Sequence, residues 1–374
     1  MNWRASSTWR DRQVLSNNTH KQRSTLRQQS IDLRSDTLTT PTASMRQAMA
    51  TAEVGDDVFD EDPTVRSLEE RSAELFGLDA GLFVASGTQG NLCALLTHCR
   101  PRQEVIAEHR CHVVTWEVGG WASLAGVTMA TVDAPRGVLT PTLLEGAIKP
   151  DNIHLVDTRL IWVENTHNAA GGTCTTPSDL DAITGVARTH NLRVHIDGAR
   201  IFNAAAALDV PVADLARGVD SIQFCLSKGL GAPVGSLLIG EASFIEEARR
   251  VRKMVGGGMR QVGVLAAAGH VALDETPSLL PQDHANALEL AQLLSDVPGL
   301  SVDLDIVETN IVYFGIGHEL GRPSTFAAEL DELGVRVVGF DETGRCRAVT
   351  HHQVSADDVR QAATIIHDHA ATHR

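Results

Sequence analysis

Ser221-Ile-Gln-Phe-Cys-Leu226 runs directly into Ser227-Lys-Gly-Leu-Gly-Ala-Pro-Val-Gly235, so a short apolar run ends on a lysine and a glycine-rich turn. The run predicts a buried strand at 222–226, because β-branched and aromatic residues suit a covered, pleated surface. Lysine is seldom buried without a partner, and a desolvated amine reaches its neutral, nucleophilic form more easily. An amine at Lys228 can therefore condense with a carbonyl, although a strand-end lysine can also simply hold its ammonium in water. Similar runs predict strands at 82–85, 105–107, 160–163 and 193–196, each leading into a polar or glycine-containing segment. Helix-period segments separate them. Asp62 caps a helix opening at Pro63, with Val65, Leu68 and Leu75/Phe76 on one face and Gly77 at its end. Thr176-Pro177 repeats the device ahead of Leu180, Ile183 and Val186. This alternation describes an α/β sheet covered by helices on both faces. Ligands gather at the carboxyl ends of such strands, so the five exits are expected to line one crevice.

The chain has 374 residues, 43% of them hydrophobic, enough for one large domain and a smaller one. A net charge of −15 argues against a nucleic-acid partner for the folded body, since phosphate backbones recruit clustered Lys and Arg. Cys93, Cys99, Cys111, Cys174, Cys225 and Cys346 form no CxxC pair and read as buried thiols of a reducing cytoplasm, without metal. No apolar stretch approaches the roughly 18 to 20 residues of a membrane-spanning helix. Residues 1–29 differ from the rest: Arg4, Arg10, Arg12, Lys21, Arg23 and Arg27 face only Asp11 amid Ser, Thr, Asn and Gln, the composition of a disordered basic tail. The same composition suits a transit peptide, but no amphipathic period accompanies it. The clusters Gly256-Gly-Gly258 and Thr276-Pro277-Ser278 punctuate the chain, placing a large domain with an amino-terminal arm at 30–278 and a small α/β domain at 279–374. Strands at 311–314, 335–338 and 347–349 are expected in the latter.

Three exits carry what a pyridoxal-phosphate site requires. The phosphate dianion needs free backbone N–H groups at a helix start, which Ser86-Gly87-Thr88-Gln89-Gly90-Asn91 offers, though such turns also serve as plain tight connections. The pyridine nitrogen needs an anion, and Asp197 follows the strand 193–196 directly; a strand-end Asp can equally cap the next turn. Lys228, one βα step later, favours the ion-pair reading. Arg200 is placed to reach the cofactor's phenolic oxygen or a substrate carboxylate.

Seven longer motifs, in order, extend the pattern: Ile31-Asp-Leu-Arg-Ser-Asp-Thr37, Glu53-Val-Gly-Asp-Asp-Val58, Glu61-Asp-Pro63, Glu164-Asn-Thr-His-Asn168, Val194-His-Ile-Asp-Gly-Ala-Arg-Ile-Phe-Asn203, Phe224-Cys-Leu-Ser-Lys-Gly-Leu230 and Gly256-Gly-Gly-Met-Arg-Gln261. From Ile31 through Val349-Thr-His351 the chain resembles the low-specificity L-threonine aldolases. The resemblance implies the aspartate-aminotransferase-like fold (type I of the pyridoxal-phosphate enzymes), with a mostly parallel sheet and a small carboxyl-terminal domain. It implies Lys228 as the covalent anchor, Asp197 on the pyridine nitrogen and Gly87 and Thr88 at the phosphate. It further implies Arg260 as a residue lent to a neighbouring subunit's phosphate, with Ser35, Arg200 and Arg347 as the clamp on the amino-acid carboxylate. His112 matches the histidine that stacks on the cofactor ring, and Glu117 would be its acidic neighbour. A dimer is then the minimum, and a tetramer follows from the resemblance. The chain departs from the family pattern at Phe59-Asp60, where Tyr-Gly is frequent, and at Arg110-Cys111, where Asp-Ser is frequent. Phe59 lacks the hydroxyl that would help hold a substrate oxygen or a water.

The implied reaction is cleavage of the Cα–Cβ bond of L-threonine, L-allo-threonine or both to glycine and acetaldehyde. The carboxylate clamp sets the torsion of the breaking bond, and His112 is the candidate base for the β-hydroxyl proton. Other readings are a β-eliminating or hydroxymethyltransferase-like enzyme of the same fold, or a non-catalytic cofactor-binding regulator working through the basic tail.

Overall fold

The computed structural model describes residues 30–372; the basic segment at 1–29 lies outside the described residues. Along the chain the strands are β1 (Ile31–Asp32), β2 (Ala80–Val84), β3 (Glu104–Glu108), β4 (Thr128–Val132), β5 (Thr158–Glu164), β6 (Arg193–Asp197), β7 (Ser221–Cys225), β8 (Ser236–Gly240), β9 (Leu300–Val302), β10 (Ile311–Ile316), β11 (Val335–Arg336), β12 (Val338–Phe340) and β13 (Arg345–Val349). Seven of them form one sheet in the order β2-β8-β7-β6-β5-β3-β4. Only β8 runs against its neighbours β2 and β7; every other pair is parallel. The five strands expected from apolar runs are β2, β3, β5, β6 and β7, all pointing the same way. β4 and β8 were not expected. β4 is a partly exposed edge strand with a weak apolar signal, and β8 follows so closely on the glycine turn after Lys228 that its run reads as part of it.

Side chains alternate across this sheet, and its central strands are buried on both faces. On β5, Ile161 and Val163 join one core with Phe76, Phe202 and Phe224, whereas Leu160 and Trp162 join another with Leu82, Val105 and Leu238. Phe224 stacks on Phe76 at 5.2 Å between ring centroids and meets Phe202 edge-on at 5.4 Å, which pins the strand that leads to Lys228. Both expected helix starts form. The Asp62 side chain accepts from the Val65 N–H ahead of Pro63–Phe76, which ends at Gly77 with φ of 66°. Thr176 and Asp179 cap Pro177–Thr189 reciprocally.

A four-stranded antiparallel sheet, β12-β13-β10-β9, carries a separate core around Phe314, Phe326, Leu330 and Ile366. Ile31 and Leu33 are buried in that core, not in the large-sheet cores, because β1 pairs in parallel with β11. The expected strand at 335–338 breaks at Val337 for the same reason: β11 belongs to the arm and β12 to the four-stranded sheet. Among the described residues, no helix is long and apolar enough to cross a membrane.

Candidate active site

All five parallel-strand exits open on one cavity of about 210 Å³. β2 delivers Ser86, Gly87 and Thr88; the segment after β3 delivers His112; β5 delivers Glu164 and, beyond it, Asn168; β6 delivers Asp197 and Arg200; β7 delivers Lys228. A wider hollow of about 710 Å³ lies on the four-stranded sheet beside Tyr313 and Arg345, and it contains none of these groups. The chemistry gathers in the smaller cavity.

Asp197 is buried at the carboxyl end of β6, and its oxygens accept from Asn91 Nδ2 at 2.8 Å, Gln223 Nε2 at 2.9 Å and the Ala199 N–H at 3.1 Å. Burial alone would raise its pKa. The Lys228 and His112 charges, with the Asn91 and Gln223 hydrogen bonds, outweigh that and hold the carboxyl below its ordinary value. Asn91 also donates to Glu117 Oε1 at 2.8 Å, and the same oxygen lies 2.8 Å from His112 Nδ1. A polar chain therefore joins Asp197 to the imidazole through Asn91 and Glu117. Burial pulls the His112 pKa down, but the hydrogen bond to Glu117 and the charges of Asp197, Glu117 and Glu164 raise it above the usual imidazole value. Asn91 and Gln223 were not singled out from sequence. Nothing marks a single amide in a helix or strand as the donor to a distant carboxylate.

Arg200 is equally well held. Its Nε and Nη2 each donate at 2.7 Å to the two oxygens of Asp36, a bidentate pair with side chains 6% and 0% exposed. Asn310 Nδ2 adds a third donor at 3.3 Å. Burial would raise the Asp36 pKa; the Arg200 charge and hydrogen bonds, with the Lys228 charge, bring it from 3.8 to about 2. Ser35, expected in the carboxylate clamp, instead caps the 3₁₀ turn Asp36–Leu38 by accepting from the Thr37 N–H. Arg347 lies outside the cavity lining but reaches it through Asn168, donating from Nη1 to Asn168 Oδ1 at 3.1 Å. Arg260 is not part of this cavity: its guanidinium, about half exposed, pairs with Asp56 at 2.9 Å. Phe59, one of the family departures, is 70% exposed on the 3₁₀ turn Asp57–Phe59.

Like Glu117, the buried acid Asp283 is pushed the other way. Burial and the Asp36 charge raise its pKa to about 7, and its Oδ2 has no hydrogen-bond partner among the described residues. The folded chain thus keeps a proton that the unfolded chain releases near pH 4, so this group lowers stability as pH rises from about 4 through about 7. Asp283→Asn should melt above the parent chain at pH 8 and level with it at pH 4 in thermal unfolding. Parallel pH curves would contradict the assignment.

The cavity fits pyridoxal phosphate. A Cβ at Gly87 would stand 2.8 Å from Cys225 Sγ, so only glycine lets this helix start lie so close to the β7 exit. The Gly87 and Thr88 N–H groups of that first turn have no intrahelical acceptor, the usual setting for a phosphate. A family model described as β-eliminating lyase matches residues 32–316. Low-specificity L-threonine aldolase 1 of Arabidopsis thaliana is 45% identical over 339 residues, spanning 88% of this chain and 93% of that protein. The low specificity L-threonine aldolase of Escherichia coli strain K12 is 42% identical over 335 residues, 89% of this chain and 97% of that one. The chain belongs to the L-threonine aldolase family. The fold agrees: the solved threonine aldolase of Leishmania major superposes with a TM-score of 0.76 at 22% identity, over 91% of this chain and 99% of that one. A serine palmitoyltransferase of Sphingomonas wittichii superposes at 0.72 with 16% identity over 99% of each chain, which places the architecture among type I pyridoxal-phosphate folds. As a member of this family, the protein is a pyridoxal-phosphate-dependent lyase.

Proposed function

We propose that this pocket cleaves the Cα–Cβ bond of L-threonine, L-allo-threonine or both, releasing acetaldehyde and glycine. The observation that carries the reading is the meeting of Lys228, Asp197 and His112 at one cavity, with Arg347 one side chain away. Pyridoxal phosphate, when bound, supplies the electron sink for the breaking bond. Lys228 would anchor it, Gly87 and Thr88 would donate to its phosphate, and Asp197, held ionised, would keep its ring nitrogen protonated. Arg347, with Arg200 beside it, would receive the amino-acid carboxylate and so set the Cα–Cβ torsion. Ser35 would join that clamp after turning from its cap.

His112 would lie over the ring and take the β-hydroxyl proton. As a base it must start unprotonated, so its raised pKa places the acid limb of the rate above the ordinary imidazole value. A kcat profile against pH whose acid limb follows a carboxylate would assign the base elsewhere. Incubating the cofactor-loaded chain with each threonine stereoisomer and measuring acetaldehyde and glycine tests the reaction. Pyruvate from serine without acetaldehyde from threonine would favour β-elimination, the chemistry named in the matching family model.

We further assign the enzyme to the cytoplasm; the six cysteines, all buried and free, support a reducing compartment. We assign it a homo-oligomeric state, a dimer at minimum and a tetramer by family, in which Arg260 reaches a neighbouring subunit's phosphate. Its exposure away from its own cavity supports that role. We divide the described chain into a large body through residue 278 and a small one from 279, with the arm bridging both.

A further inference from the structure

We propose that Glu164 is a positioning residue that ties the His112 side of the pocket to the Arg347 side. Glu164 is 4% exposed at the end of β5. Oε2 accepts from the His112 backbone N–H at 2.5 Å, and Oε1 accepts from the Asn168 backbone N–H at 2.9 Å. Asn168 passes the constraint on, because its Oδ1 accepts from Arg347 Nη1 at 3.1 Å. Arg347 has further restraints: Nη2 donates to the Arg34 carbonyl at 3.1 Å, the Tyr313 hydroxyl is a hydrogen-bonding neighbour, and the guanidinium lies 5.8 Å from the Phe340 ring centre, while Nε has no partner among the described residues. An ionised carboxylate suits the position of Glu164 because it offers an acceptor to each side and carries no donor of its own. The group over the ring and the group that receives the substrate carboxylate are thereby held in one frame. This inference rests on the roles proposed above for His112 and Arg347.

Glu164→Gln keeps the size but replaces one oxygen with an NH₂, so one of the two N–H groups faces another donor. Glu164→Asp keeps the charge and loses a methylene of reach. Four quantities decide the matter on cofactor-loaded enzyme: equilibrium affinity for glycine, KM and kcat for threonine, cofactor retention by absorbance, and the thermal midpoint. Glu164→Gln is expected to weaken glycine and raise KM roughly tenfold, and to lower kcat roughly tenfold, with cofactor retained. Glu164→Asp should recover part of both losses. Asn168→Ala should weaken glycine about as much while lowering kcat less than Glu164→Gln does. In the double variant Glu164→Gln/Asn168→Ala, glycine affinity should fall no further than in Glu164→Gln alone, because the two act in series. Unchanged glycine affinity and kcat in a cofactor-retaining Glu164→Gln, or losses that multiply in the double variant, would overturn the proposal. If Glu164→Gln does not fold, Glu164→Asp and Asn168→Ala carry the same comparison. Should the parent chain release no acetaldehyde, the reaction is refuted, and the glycine affinities alone still decide the role of Glu164.

Discussion

Lys228→Ala is expected to lower acetaldehyde release at least about ten-thousand-fold, since a residue that forms the covalent bond has no neighbour to replace it. The fold should survive. The backbone carbonyl of Lys228 accepts from Thr39 Oγ1 at 3.0 Å and from the Gly231 N–H at 2.9 Å, and alanine keeps both bonds. What is lost besides the amine is its charge, which holds down the pKa values of both Asp197 and Asp36. Borohydride reduction and peptide mapping should place the cofactor label at position 228 of the parent chain and leave the variant unlabelled. A variant within about tenfold of the parent rate, with the label still present, would remove the covalent role.

Asp36→Ala should destabilise the protein by about 3–5 kcal/mol, the range for stripping one partner from a buried ion pair. Arg200 would keep a guanidinium 6% exposed with neither oxygen of its bidentate partner. Asp36→Asn separates charge from shape. Because the Asp36 pKa is depressed from 3.8 to about 2, the stability it adds is fully present above about pH 4 and is lost as pH falls through about 2. The gap between the parent chain and Asp36→Asn in chemical unfolding should be steady from neutral pH to about 4 and then close toward pH 2. A gap that ignores pH would mean that Asp36 acts through packing alone.

The covalent anchor and the ring anion were legible because each ends a strongly apolar strand, and strand ends in such sheets converge. Their supports were not. Asp36 meets Arg200 across 164 positions and Asn91 meets Asp197 across 106, and no local period encodes pairings of that span. Sequence did place the carboxyl-terminal strands near 311 and 347. It ran 335–338 together as one strand because the partner of β11, a two-residue segment at Ile31, is too short to carry an alternation of its own. Arg260 marks another boundary of local reading, since its motif was clear and its position is on Asp56, outside this chain's own cavity.

The arm strand has a consequence for how the molecule is made. Ile31 is synthesised long before its register partner Val335 and before Gly334, whose carbonyl accepts from the Ile31 N–H at 2.9 Å. Until that partner is made, the core that buries the apolar side chains of Ile31 and Leu33 is incomplete. A product that stops short of Val335 would carry the amine and the ring anion but hold its first strand loose, where chaperones and proteases recognise it.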